Sequence, residues 1–181
     1  MYNTASNRCL IFIACREAVV LSAYPDGPHH SIGCGHNDPS LKLGDRITVQ
    51  RAFELLRQDV ASREAIVNRS VKVPLSQQQF DALLDLYYQN GNKKDVHGKP
   101  GWTHVVGLLN AGDYAGAAAY LPDCRCNSAG KEIGGLRKRR EMEQAIFLRG
   151  DYGDLSSVPF YPGDPKTTSQ RRYVIQPGDV A

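Results

Sequence analysis

The stretch Glu17-Ala18-Val19-Val20-Leu21-Ser22-Ala23-Tyr24-Pro25-Asp26 runs through Gly27-Pro28-His29-His30 into Ser31-Ile32-Gly33-Cys34-Gly35-His36. Before it, Thr4 or Ser6 can cap a helix that carries the apolar run Cys9 to Cys15 and ends near Glu17. After it the texture changes. Pro25, Gly27, Pro28, Gly33, Gly35 and Pro39 punctuate short runs as far as Gly44, which predicts small strands joined by tight turns. A helix end that leads into a hairpin can bring Glu17 and Asp26 to face each other across a cleft. Glycoside hydrolysis requires two carboxyl groups so placed. One donates a proton to the leaving oxygen, and the other stays ionised to activate water or stabilise the cationic centre. Acidic residues at this spacing also occur as an unrelated surface Glu and turn Asp, so spacing alone leaves the chemistry open.

Working outward, Thr48 caps a long helical stretch of about 49–68, with Phe53, Leu56, Val60 and Val67 near one face. Ser76-x-x-Gln79 matches a capping box, and Phe80, Leu83, Leu84, Tyr87 and Tyr88 follow at helical spacing. That apolar stripe reads as core. A polar loop spans Gly91 to Gly101, shorter helices are predicted at about 103–110 and 114–120, and a last one at about 136–149 stops at Gly150. Residues 151–181 hold four of the ten prolines and no helical period, so they read as an extended tail. The expected architecture is α+β: a mostly helical domain over 1–150, with a small N-terminal β subdomain and a long helix joining two lobes.

The opening stretch resembles the active-site segment of phage-type lysozymes, glycoside hydrolase family 24. The family pattern is a Glu, eight residues, an Asp, five residues and a Thr, then Ile-Gly-aromatic-Gly-His. The likeness continues through Gly44-Asp45-x-Ile47-Thr48, Leu55-Leu56-x-x-Asp59-Val60 and Pro74-Leu75-Ser76-Gln77-x-Gln79-Phe80-Asp81-Ala82-Leu83. It then takes in Asn90-Gly91, Leu109-Asn110-Ala111-Gly112-Asp113-Tyr114 and Gly135-Leu136-x-x-Arg139-Arg140-x-x-Glu143. It covers roughly residues 5–150, with the motifs in the same order. The resemblance implies a two-lobed fold with the substrate cleft between the lobes. It implies cleavage of the β-1,4 bond between N-acetylmuramic acid and N-acetylglucosamine in bacterial peptidoglycan, without metal or cofactor. Glu17 would be the general acid and Asp26 the carboxylate that orients the attacking water.

One departure stands out. The family's Thr falls here on Ile32, and the nearest hydroxyl is one residue earlier, at Ser31. A turn shortened by one residue restores the register, which makes Ser31 the third candidate site residue. The reshaped turn also bears on stereochemistry, because inversion wants the carboxyl groups roughly 6.5–9.5 Å apart and retention about 5–5.5 Å. The family resemblance implies inversion. His30 in the turn, His36 at the end of the motif and Trp102 after the polar loop are candidate substrate contacts. Each also has a plainer role: an exposed turn residue beside His29, a structural hydrogen-bond or ion-pair partner, and a core anchor.

Composition is consistent with a wall-active enzyme and excludes other classes. Of 181 residues, 41% are hydrophobic and 23% charged, which rules out wholesale disorder and a polytopic membrane protein. The net charge of +3 suits an anionic wall, and much of it sits in 131–149, with six basic residues against three acidic. Arg137-Lys138-Arg139-Arg140 spread around a helix axis and form no single basic face, so no nucleic-acid partner is expected. Some of them read as solvated, and Arg139 or Arg140 as paired with Glu143. Cys9 to Cys15 is too short to span a membrane, and Arg16-Glu17 stand where small cleavage-site residues would follow a signal peptide. The five cysteines read as reduced, mostly buried thiols, and Cys124-x-Cys126 is too tight for a zinc knuckle. A monomer made in the host cytoplasm, reaching the wall through a membrane pore or carried on the virion, is the expectation. Tyr173-Val174-Ile175-Gln176-Pro177-Gly178-Asp179 resembles the opening strand of LysM peptidoglycan-binding modules, without room for that module's helices. Two alternatives stay open. One is a lytic transglycosylase, which needs the acid but no second carboxylate. The other is a non-catalytic wall-binding virion component.

Overall fold

The computed structural model of the chain describes residues 3–126, 129 and 131–180. Among these are helices α1 (Asn7–Glu17), α2 (Val49–Ser70), α3 (Gln77–Asn90), α4 (Gly101–Asn110), α5 (Tyr114–Tyr120) and α6 (Gly134–Arg149) and one small sheet. Its strands are β1 (Val19–Asp26), β2 (His29–Gly33), β3 (His36–Asn37), β4 (Ser157–Tyr161) and β5 (Arg171–Val174). Backbone proximity divides the chain into two compact units. One is Met1–Ser6 with Val60–Gly153, and the other is Asn7–Asp59 with Asp154–Ala181.

The helical unit is built on α3. Ser76 Oγ accepts from the Gln79 N–H, and the Gln79 side chain accepts from the Ser76 N–H, so the expected capping box forms. Phe80, Leu83, Leu84 and Leu86 are then fully buried. The periodicity hides two acidic anchors on the same helix. Buried Asp81 accepts from Ser6 Oγ at 2.5 Å and from the Tyr152 hydroxyl at 2.5 Å, which ties both ends of this unit to α3. Asp85 takes a bidentate grip from Arg139 of α6, at 2.6 and 2.9 Å. Burial pushes the Asp85 carboxyl up, but the Arg139 charge and its hydrogen bonds win and hold it at about 2. Arg140, fully buried, lies 2.8 Å from Glu143. The basic run of α6 is therefore split as expected, and Arg139 and Arg140 are withdrawn from solvent. Buried Asp95 gathers the polar loop by accepting from the N–H groups of His97 and Lys99 and from the Tyr120 hydroxyl.

In the other unit the sheet runs β3-β2-β1-β4-β5. β1 pairs antiparallel with β2 and parallel with β4, and β4 pairs antiparallel with β5. Ala23, Ile32 and Leu55 form a small core under the hairpin, with Ile47 and Leu41 against it. Thr48 Oγ1 accepts from the Arg51 N–H and so caps α2 as its sequence predicts. The segment after residue 150, expected as an extended tail, is extended but does not stand apart. It supplies two of the five strands, with Val158 fully buried. Its prolines mask the strand signal. Pro159 is tolerated in β4 because β1 meets that strand only at Phe160 and Tyr161. All five cysteines are free thiols, and four of them are buried.

Candidate active site

Glu17 closes α1 and is exposed. Its successor Ala18 holds φ at +64°, the one non-glycine residue in the left-handed region among the described residues. The Ala18 N–H donates to the Ala14 carbonyl at 2.9 Å, the bond by which a left-handed residue ends a helix. An L-residue adopts this backbone at a cost of roughly 1–2 kcal/mol. In return the chain passes from helix to strand within one residue, so Glu17 stands at the root of the strand that leads to Asp26.

Asp26 ends β1 and pairs with His29 across the two-residue turn Gly27–Pro28. Gly27, at φ +60°, fits the first central position of a type II′ turn, which the twist of a hairpin favours. This tight turn returns the chain so that the Ser31 hydroxyl lies beside Asp26. The register sets Tyr24 opposite Ser31 and Pro25 opposite His30. Strand alternation then places Tyr24, Asp26, His29 and Ser31 on one face of the hairpin, and His30 on the other.

On the first face a small network forms. Ser31 Oγ donates to Asp26 Oδ2 at 2.7 Å, and Asn37 Nδ2 donates to Ser31 Oγ and to the His30 carbonyl, each at 3.1 Å. Ser31 is fully buried, whereas Asp26 is exposed. Tyr24, with its phenol half-buried, stands opposite Ser31 in the hairpin. Burial pushes its pKa up, the Asp26 charge adds to the rise, and Glu17 and Asp164 contribute smaller shares. Ile32, the position of the family's Thr, is fully buried in the small core and has no part in the network.

The other candidates lie elsewhere. His36 Nδ1–H donates to Asp59 Oδ1 at 2.9 Å, a bond that fastens β3 to α2. Trp102 belongs to the helical unit, is 6% exposed, and sets its ring edge-on to Tyr87 with centroids 4.9 Å apart. Tyr24, Asn37 and Asp59 enter the site region without having been singled out from the sequence. Tyr24 carries a signal in hindsight, since it precedes Asp26 by one strand period. Asn37 carries none, because its contact depends on where β3 folds back. Among the described residues, no group of three or more His, Cys, Asp or Glu is placed to hold a metal ion, and no helix is long and apolar enough to cross a membrane.

The family model described as phage lysozyme matches residues 14–143, which include Glu17, Asp26 and Ser31. The chain belongs to the phage lysozyme family. It is similar to an endolysin of Acyrthosiphon pisum secondary endosymbiont phage 1, at 34% identity over 146 residues, 78% of this chain and 96% of that one. It is also similar to an endolysin of Bacillus phage B103, at 32% identity over 158 residues and 87% of this chain, but spans only 57% of that protein's length. Among solved structures it resembles an endolysin from Escherichia coli O157:H7 phage FAHEc1, with a TM-score of 0.70 and 29% identity over 85% of this chain and 99% of that one. The mostly helical α+β architecture is that of phage lysozymes. Family membership places the protein among phage enzymes that hydrolyse peptidoglycan.

Proposed function

We propose that this phage lysozyme cleaves the β-1,4 bond between N-acetylmuramic acid and N-acetylglucosamine by general acid–base catalysis. Glu17 gives its proton to the glycosidic oxygen as the bond to the anomeric carbon breaks. Asp26 orients the water that attacks that carbon and accepts the water's proton. Ser31 holds Asp26 Oδ2 in place, and Oδ1 of the exposed side chain accepts from the water. Asn37 fixes the Ser31 hydroxyl from behind.

The observation that supports this reading is the 2.7 Å bond from Ser31 to Asp26, at the end of the strand that begins beside Glu17. A second carboxylate with its own support suits water attack. A lytic transglycosylase has no use for one, and closes the ring with the substrate's own hydroxyl. Asp26→Asn therefore separates the two. Hydrolysis falls by two orders of magnitude or more, since general-base catalysis contributes about 10²–10⁴-fold. A transglycosylase keeps most of its rate. The reaction inverts, so the new reducing end appears as the α anomer, and a β product contradicts the water-orienting role of Asp26. The enzyme acts as a monomer, is made in the host cytoplasm, and meets its substrate once the membrane is breached.

A further inference from the structure

The family match ends at residue 143, and the β4–β5 hairpin lies wholly beyond it. β4 runs parallel to β1, with Val19 beside Phe160 and Val20 beside Tyr161. Parallel pairing sends β4 in the direction in which β1 runs to Asp26. The nine residues 162–170 that join β4 to β5 therefore leave the sheet toward the Asp26 end. Arg46 fixes their root. It bridges to Ser22 of β1 through the backbone, and its Nη2 donates to the Pro162 carbonyl at 2.9 Å.

The loop itself is ordered around Asp164. The Asp164 carbonyl accepts from the N–H groups of Thr167 and Thr168, at 3.0 and 2.9 Å, and from Thr168 Oγ1 at 2.8 Å. Its carboxylate accepts from the Lys166 N–H at 2.8 Å. Gln170 Nε2 donates to the Tyr161 hydroxyl at 3.1 Å and so closes the loop at its base. The side chains of Lys166, Thr167, Ser169 and Gln170 are left on the surface.

We propose that loop 162–170 is a binding wall for the wall polymer beside Asp26, with Lys166 meeting a carboxylate of a peptide stem and Thr167 and Gln170 hydrogen-bonding the sugar. The proposal rests on the peptidoglycan reading above and adds a contact outside the family-matched segment. The chemistry is matched. Peptidoglycan offers hydroxyl and acetamido groups, which a hydroxyl and a carboxamide satisfy as both donor and acceptor. Its stems carry free carboxylates, for which an exposed ammonium is a partner of point charge. The hairpin supplies Lys166, Arg171 and Arg172 against the single acid Asp164. Arg172 is engaged with Ser157, by its Nη2 on the carbonyl at 2.8 Å and on Oγ at 2.6 Å, which leaves Lys166 as the cation within the loop.

The test compares wild type, Lys166→Glu and Thr167→Ala/Gln170→Ala on soluble peptidoglycan strands, and on the same strands stripped of stems by an amidase. Lys166→Glu raises KM on intact strands roughly 3- to 10-fold, with kcat within about twofold and Tm within about 2 °C. On stripped strands that KM ratio shrinks toward one, whereas the Thr167→Ala/Gln170→Ala ratio persists on both substrates. Sedimentation with intact wall in the Glu17→Gln background gives the same loss of affinity without turnover. An unchanged KM for Lys166→Glu, or an equal ratio on both substrates, overturns the carboxylate contact. If wild type releases no ends at all, the hydrolase reading fails instead, and the sedimentation comparison alone then decides whether the loop binds the wall.

Discussion

Removing the Ser31 hydroxyl tests how the hairpin equips Asp26. The lost bond is 2.7 Å long and charge-assisted, from a fully buried donor to an exposed carboxylate. Hydrogen bonds to charged groups contribute about 1.5–3 kcal/mol. Water reaches Asp26 and partly replaces the hydroxyl, so the lower part of that range applies to Ser31→Ala. At 1.36 kcal/mol per decade this is roughly a 10- to 30-fold loss of kcat on peptidoglycan, read as reducing ends released per unit time. Stability suffers less. Asn37 keeps the His30 carbonyl as an acceptor, and a cost of about 1 kcal/mol lowers Tm by roughly 2–4 °C. Ser31→Thr keeps the hydroxyl and stays within about fivefold of wild type. The sharper control is Ile32→Thr, which restores the family's residue at the family's position. Ile32 is fully buried between Ala23 and Leu55, so a hydroxyl there is far from Asp26 and lacks a partner. The double variant Ser31→Ala/Ile32→Thr is less stable than Ser31→Ala and no more active. A Ser31→Ala enzyme within threefold of wild type, or rescue by Ile32→Thr, refutes the assignment.

Three further outcomes follow from the geometry. Asp85→Asn takes the bidentate partner from the buried Arg139, leaving it only the longer 3.8 Å approach of Glu143, and costs about 3 kcal/mol at pH 7, seen in urea unfolding. Because the Asp85 carboxyl is held at about 2, below its ordinary value of 3.8, its contribution is fully present above pH 4 and is lost as pH falls through 2. The gap between wild type and variant therefore closes toward pH 2, and a gap independent of pH between 5 and 2 contradicts the ion pair. Ala18→Val forces a β-branched residue into the left-handed region, which lowers Tm by several degrees and kcat with it, whereas Ala18→Gly keeps activity; equal behaviour of the two shows that this backbone does not set Glu17. Trp102→Ala removes a ring buried against Tyr87 and costs about 3–5 kcal/mol of stability, and an enzyme of unchanged stability but raised KM would make Trp102 a sugar contact instead.

Much of this was legible in the sequence where local rules govern. The capping box at Ser76, the stripe of α3 and the Thr48 cap follow from spacing that one helix imposes on itself. The position of the Ser31 hydroxyl beside Asp26 followed from a different cue, and its role in the reaction is part of the proposal. A displaced hydroxyl implies a shortened turn, and Gly27–Pro28 makes one. What stayed hidden depends on partners far along the chain. β4 docks on a strand some 140 residues earlier, and Pro159 within it suppresses the alternation that marks a strand. Tyr24 and Asn37 acquire a role only through cross-strand register, and Asp85 reads as a polar break in an apolar helix until Arg139 arrives from α6. Charge counting misled in one respect. The basic excess in 131–149 overstates the surface charge of α6, because Arg139 and Arg140 are inside.

In the proposed mechanism Glu17 protonates the glycosidic oxygen and water completes the cleavage. Mass spectrometry of peptidoglycan fragments, released by wild type and by Glu17→Gln, measures it directly. Wild type is expected to release reducing muramic ends and Glu17→Gln, with the same Tm within about 2 °C, at least a hundredfold fewer. 1,6-Anhydro ends from wild type, or reducing ends from Glu17→Gln at the wild-type rate, would contradict it.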